Sequence, residues 1–342
     1  SRTATYETSV FGYIFGYETI GSQDNRTRSS IFINEQFSNI ETAVWQYSNS
    51  NYSYSNRYGI QSYFYYIPAG LTSITVTDQE SIPVAGFNNM SNIITLNLPE
   101  GVTSIGAYAF QGMSSLETIN SETSGTYNIP SGVTVIESAT FKDNALLTTM
   151  ILEGDVTSIG AQAFYGSGLE SISLSNATSI DSNAFEGVTT LESIDLPKVT
   201  SIGNAAFKNA TGLTSVSMPL IETIGTSAFE GAVSLQRINS ETDGVFVLPD
   251  SLTSIGNAAF KGVELVTEIS LPFIGTSRTA TYETSVFGYI FGYEIDTSPI
   301  FIYNGNYEYS DIKYGNIENA VWQFTHTRYH VGNNYYRGAS YF

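Results

Sequence analysis

Side chains able to do chemistry are few in this 342-residue chain. Cysteine is absent, which removes thiol catalysis, disulfides and zinc–thiolate sites while leaving the redox compartment open. Two histidines remain, His326 and His330. Their spacing would seat a metal on one face of a helix, but they lie in a Tyr-, Asn- and Gly-rich strand-and-loop context and lack the Glu of a zincin motif. Both are read as solvated. No Gly-x-Ser-x-Gly elbow, phosphate loop or dinucleotide fingerprint occurs, and spacing does not place carboxylates such as Glu100 and Glu117 in one cleft. The expectation is no catalytic residue, no metal ligand set and no cofactor.

Composition narrows the rest. Thirty-two acids against thirteen bases give a net charge of −19, and the few bases are scattered, so nucleic acid is not an expected partner. The apolar fraction of 42% fills a core, and no apolar run reaches the roughly 18 residues of a membrane helix, so no membrane insertion is expected in this segment. Charged residues make up only 13%, which leaves a surface wetted by hydroxyls and amides. The chain runs from Ser1, without an initiator Met or leader pattern, to Phe342, and it reads as part of a longer protein.

The elements that would position any site come from internal repetition. Apolar residues at positions 1, 4 and 6 of a strand recur nine times, from Leu71-Ile74-Val76 to Val266-Ile269-Leu271. Steps between copies are 22 or 23 residues, except two of 31 that each follow Asn-Ser-Glu-Thr, at 120–123 and 239–242. A second signature, Ile-x4-Phe, lies between the strands and ends at Phe87, Phe110, Phe141, Phe164, Phe185, Phe207, Phe229 and Phe260. A period near 22 cannot close its own core, so each coil must bury its apolar side against the next. The expected fold is a mostly β repeat solenoid with short turns or helical pieces. Its strands 71–76 through 266–271 should form one parallel sheet, the Phe residues an internal stack, and 120–130 and 239–249 insertions bulging outward.

The string Leu-x-Ser-Ile-x-Leu-Pro followed by Val-Thr-Ser-Ile-Gly-x-x-Ala-Phe, as in 191–207, resembles the BspA-like leucine-rich repeats over about 71–276. Many of those repeats carry Cys three residues after the Phe, where this chain has Met90, Met113, Asn144, Ser167, Val188, Ala210, Ala232 and Val263. The resemblance implies a right-handed leucine-rich-repeat solenoid in a surface-exposed or secreted protein, acting in attachment to host or neighbouring cells.

Residues 1–18 and 277–294 are identical, and the likeness resumes at Ile40–Gln46 against Ile317–Gln323. Ten tyrosines lie in 1–66, eleven in 277–342 and three between, which marks a boundary on either side of the repeats. The expected organisation is a Tyr-rich module over 1–66, the solenoid over 67–276 and a second, truncated module over 277–342. Each module reads as a small β insertion, one greatly enlarged repeat.

Two surfaces are candidates for binding. Alternation turns Ser171, Ser173, Ser193, Asp195, Ser215, Ser217, Arg237, Asn239 and Glu268 outward on the sheet, a hydroxyl-rich face that could bind weakly in many copies or simply solubilise the sheet. In the modules Trp45, Tyr52, Tyr54, Trp322, Tyr335 and Tyr336 could contact protein or stack on sugars. The expected function is a non-enzymatic extracellular or cell-surface adhesin or ligand-presenting stalk, its partner a protein or glycan on host or neighbouring cells. The alternatives are glycan binding through the aromatic modules and a purely structural rod.

Overall fold

The computed structural model describes residues 17–20, 43–54, 57–279, 287–295 and six short strands between 302 and 341, with side chains over 67–279 and 287–292. The chain forms two compact units, Ser1–Ala177 and Thr178–Phe342.

In the first unit, strands Ser73–Thr75, Thr95–Asn97, Thr118–Ile119, Thr126–Ile129, Thr149–Leu152 and Ser171–Ile172 form a six-stranded sheet, every neighbouring pair parallel. In the second, Ser193–Asp195, Ser215–Ser217, Arg237–Ile238, Val245–Val247 and Glu268–Ser270 form a five-stranded parallel sheet. Two-residue strands such as Ser201–Ile202, Thr223–Ile224 and Ser254–Ile255 make a second parallel line in the same coils. Each strand is short because its coil turns again after a few residues. Alternation is still clear: Ile74 is buried between exposed Ser73 and Thr75, and Ile194 between exposed Ser193 and Asp195. The chain is a parallel β-solenoid, and its main strands fall into two sheets, one in each unit, and not into the single sheet that the repeat spacing suggests, because among the described residues no ladder joins Ser171–Ile172 to Ser193–Asp195.

The core is the expected aromatic stack. In the first unit Phe87, Phe110, Phe141 and Phe164 follow one another at centroid distances of 5.9, 5.5 and 5.6 Å. In the second, Phe185, Phe207, Phe229 and Phe260 follow at 5.1, 5.3 and 5.5 Å, with ring planes within 7° of parallel. The turn holding each Phe is bonded to the next coil. Phe207 N–H donates to the Ala228 carbonyl at 2.7 Å, and Ala205 N–H to that of Thr226 at 2.8 Å. To aim that second N–H, the residue two before each Phe adopts a left-handed conformation, with φ from 53° at Ala139 to 60° at Tyr108 and Asn183. Close approach explains the Gly of Ser-Ile-Gly: a Cβ at Gly225 would lie 2.5 Å from the Asn204 backbone nitrogen.

The two 31-residue steps are not simple bulges. Thr126–Ile129 and Val245–Val247 enter the sheets as additional parallel strands, with Ile119 opposite Tyr127 and Ile238 opposite Phe246. Tyr127 and Phe246 are fully buried, their rings 5.9 and 5.7 Å from Phe141 and Phe260. Each 31-residue step is therefore an ordinary coil preceded by a miniature one, in which eight residues separate in-register positions. The exposed residues are the tips, Glu122–Ser124 and Glu241–Asp243, and Val247 on the second strand. Left-handed Asn120 and Gly125, and Asn239 and Gly244, close these loops. The correction has a physical basis: the apolar residues Tyr127 and Ile129 would be stranded in a bulge, whereas a strand buries them.

The modules are antiparallel β. In the first, β1 (Tyr17–Ile20) and β2 (Ala43–Tyr54) flank β3 (Arg57–Pro68), with Tyr17 opposite Tyr65 and Gln46 also opposite Tyr65. The second repeats this register, Tyr293 and Gln323 both facing Tyr341. Its opening continues the solenoid. The string Ser285-Val286-Phe287-Gly288-Tyr289-Ile290-Phe291 is a diverged copy of Ser-Ile-Gly-x-x-Ala-Phe, the 3-10 turn Phe287–Phe291 buries Ile290, and Phe291 lies 6.3 Å from Phe260.

Candidate functional site

The sheet-face residues fall on two sheets. Ser171 and Ser173 belong to the first unit, both exposed, and the Ser171 hydroxyl donates to Thr149 Oγ1 at 3.4 Å. In the second unit Ser193, Ser215 and Arg237 stand in one row, and Asp195 and Ser217 in the next. Glu268 does not adjoin Arg237 as the repeat spacing suggests. The additional strand intervenes, placing Val245 opposite Glu268 and leaving Val247 39% exposed. Ile151, 43% exposed, similarly interrupts the first sheet. The hydroxyl surface is thus broken by an apolar side chain in each unit.

Many of its polar groups are already engaged. Asn239 accepts from Met218 N–H at 2.6 Å through Oδ1 and donates to the Val247 carbonyl at 2.9 Å, so it closes the loop. Asn120 plays the same part, accepting from Leu98 N–H at 2.7 Å. Arg237 pairs with Asp243 at 3.0 Å. Along other columns Thr103, Thr214 and Thr253 hydroxyls donate to carbonyls of the preceding coil at 3.1, 2.9 and 2.9 Å. These groups bind coil to coil.

The column just after each Phe is another ladder, built from different chemistry on successive rungs. Asn88 donates its amide to Gln111 at 3.2 Å, and Lys142 sits 4.6 Å from the Tyr165 ring centroid. Glu230 bridges Lys208 at 3.1 Å and Lys261 at 3.8 Å. Partial burial pushes the Glu230 carboxyl up, but hydrogen bonds from Ser227 and Lys208 and the charges of Lys208 and Lys261 together hold it below the usual carboxylate range. Burial pushes the Tyr127 phenol above its ordinary range, and the hydroxyl donates to the Leu116 carbonyl at 2.8 Å. Burial and these fixed contacts account for both shifts.

Among the described residues no group of three or more His, Cys, Asp or Glu could hold a metal, and no helix is long and apolar enough to cross a membrane. His330 lies on strand Tyr329–Val331 opposite Tyr335, and His326 is outside the described residues. Of the aromatic candidates, Trp45, Tyr52 and Tyr54 lie on β2 opposite Tyr66, Gly59 and Arg57, and Tyr336 faces Tyr329. Trp322 is outside the described residues.

Charge separates these surfaces more sharply than geometry. Residues 67–276 hold 21 acids and five bases, a net −16, whereas 1–66 and 277–342 carry only −1 and −2. Most of the molecule's net negative charge, −16 of −19, belongs to the solenoid.

Residues 58–130, 120–236 and 242–319 match the BspA type leucine rich repeat region in 6 copies, and the chain belongs to this family. Solved structures similar to it include a leucine-rich repeat protein of Bacteroides ovatus at 22% identity and a TM-score of 0.40, covering 67% of this chain and 60% of that one. The leucine rich repeat protein of T. pallidum is similar at 21% identity and a TM-score of 0.40, covering 59% and 80%. A leucine rich cell surface protein of Faecalibacterium prausnitzii follows at 18% identity and a TM-score of 0.25, covering 64% and 91%. The chain therefore spans less than two thirds of the Bacteroides ovatus protein. No curated protein matches it.

Proposed function

We propose that the chain is a non-enzymatic protein of the cell surface or secreted space, whose solenoid is a scaffold and whose aromatic modules make adhesive contacts with a protein or glycan on host or neighbouring cells. The observation that carries this reading is the division of charge: a −16 solenoid repels anionic cell surfaces, while the modules, at −1 and −2, can approach them. The hydrogen bonds tying sheet-face residues to neighbouring coils support the scaffold role. Flat amphipathic Tyr and Trp rings suit both sugar stacking and protein contacts. Family membership supports surface placement.

The test compares retention on immobilised matrix proteins and on a glycan array by the whole chain, by residues 1–276 with one module and by residues 67–276 with none. Retention should rise steeply from none to two modules, as linked weak sites gain avidity. Equal retention by residues 67–276 would move the contact to the sheet faces. A structural stalk is the second reading, favoured by the coil-to-coil ladders, and it predicts retention by none of the three.

A further inference from the structure

Residues 42–77 contain one charged side chain, Arg57, in a chain of net charge −19. This stretch holds the β2–β3 hairpin. β2 runs for 12 residues, Ala-Val-Trp-Gln-Tyr-Ser-Asn-Ser-Asn-Tyr-Ser-Tyr, without a charge or a proline. It pairs with β3 at every position, from Ala43 opposite Pro68 to Tyr54 opposite Arg57, and no bulge interrupts the register. Among the described residues β3 is its only hydrogen-bonded neighbour.

Soluble proteins blunt long sheet edges with Lys, Pro, inward charges or bulges. β2 has none of these. Its alternating aromatic and polar residues belong to a class of sequence that pairs strand to strand. Like-charge repulsion keeps solenoids of two copies apart, and this stretch offers no such barrier. Two copies of one strand can meet antiparallel about a two-fold axis, each exchanging the same backbone groups with the other.

We propose that β2 is an assembly edge, at which the β2 strands of two copies pair antiparallel and join their hairpins into one sheet. The inference uses the modules invoked for adhesion but is independent of any target: a chain that is monomeric yet still retained on a surface would overturn this proposal alone.

The experiment is sedimentation velocity on the whole chain across the micromolar range, where dimer should grow with concentration. Asn49→Asp with Asn51→Asp, near-isosteric changes, should move the monomer–dimer midpoint at least about tenfold higher by setting like charges across the pair. Asn49→Lys with Asn51→Lys should do the same. An equal mixture of the Asp and Lys proteins should recover the dimer, which an unfolded hairpin could not do. A monomer at all concentrations, indifference to the Asp pair, or failure of the mixture to recover the dimer would each overturn the proposal.

Discussion

At the scale of single residues, an interior column of phenylalanines and an outer ladder of polar side chains both join one coil to the next. Phe207 lies 5.1 and 5.3 Å from its two neighbours and is fully buried, so Phe207→Ala should cost about 3–5 kcal/mol in urea unfolding. Lys208→Ala, one residue on and half-exposed, should cost no more than about 1 kcal/mol. Equal losses would mean that the outer ladder holds the coils as strongly as the ring stack. These Phe positions were legible because a regular period of large apolar residues has no other reading. The backbone beneath them was not: left-handed conformations at Ala139, Ala205 and Ala258 fall on residues that carry no steric signature for it. The column three residues beyond each Phe holds a second surprise. Asn144 and Ser167 are buried there, and neither the Asn144 amide nor the Ser167 hydroxyl has a hydrogen-bond partner. Ser167→Ala should therefore raise stability by about 1 kcal/mol, relieving an uncompensated desolvation. A fall of that size in the thermal or urea midpoint would show that the hydroxyl is satisfied in solution.

The elements are governed by how few residues a coil needs to regain register. An ordinary coil uses 22 or 23, yet Ile119 and Tyr127 are in register across eight, because left-handed Asn120 and Gly125 fold the chain back at once. Read along the sequence, a 31-residue step looks like a coil with an insertion, and the flanking pattern does resume in phase. The missing clue was internal: Tyr127 and Phe246, eight residues after Ile119 and Ile238, are aromatic counterparts placed just before Ile129-Pro130 and Leu248-Pro249. Removing residues 120–127 would join Ile119 to Asn128 and restore a 23-residue step from Thr118 to the strand at Thr149. The shortened chain should fold with the same circular-dichroism spectrum, since both ends of the excision occupy equivalent positions on adjacent strands. Tyr127→Ala, by contrast, should cost about 3–5 kcal/mol, because it empties a buried site beside Phe141 while keeping the strand. A negligible loss would return the segment to the exposed-insertion reading. The same arithmetic exposes the module opening: Ser285–Phe291 was hard to recognise as a repeat because Val286, Phe287 and Ile290 replace the Ile, Gly and Ala that usually mark the turn.

For the whole molecule, the sequence alone left both the sheet face and the aromatic modules as claimants, since alternation says which residues face outward and not which are already bonded. Asn239 illustrates the limit: it looked free on the strand pattern, and its Oδ1 accepts from Met218 N–H of the preceding coil while its amide donates to the Val247 carbonyl. What then separates the claimants is the distribution of charge, −16 on residues 67–276 against −1 and −2 on the flanking modules. A surface of negative glycans or lipids meets a repulsive solenoid, and salt shortens the reach of that repulsion from roughly 30 Å at 0.01 M to roughly 8 Å at 0.15 M. If the modules make the contact, retention of the whole chain on an anionic target should rise over that range of salt, as screening lets the modules approach. Capture on polylysine, which the solenoid itself would attract, should fall over the same range. Surface plasmon resonance on the two surfaces with one protein preparation separates these cases. If retention on the biological target instead falls in parallel with the polylysine curve, the acidic solenoid is the adhesive surface and the modules are its packing.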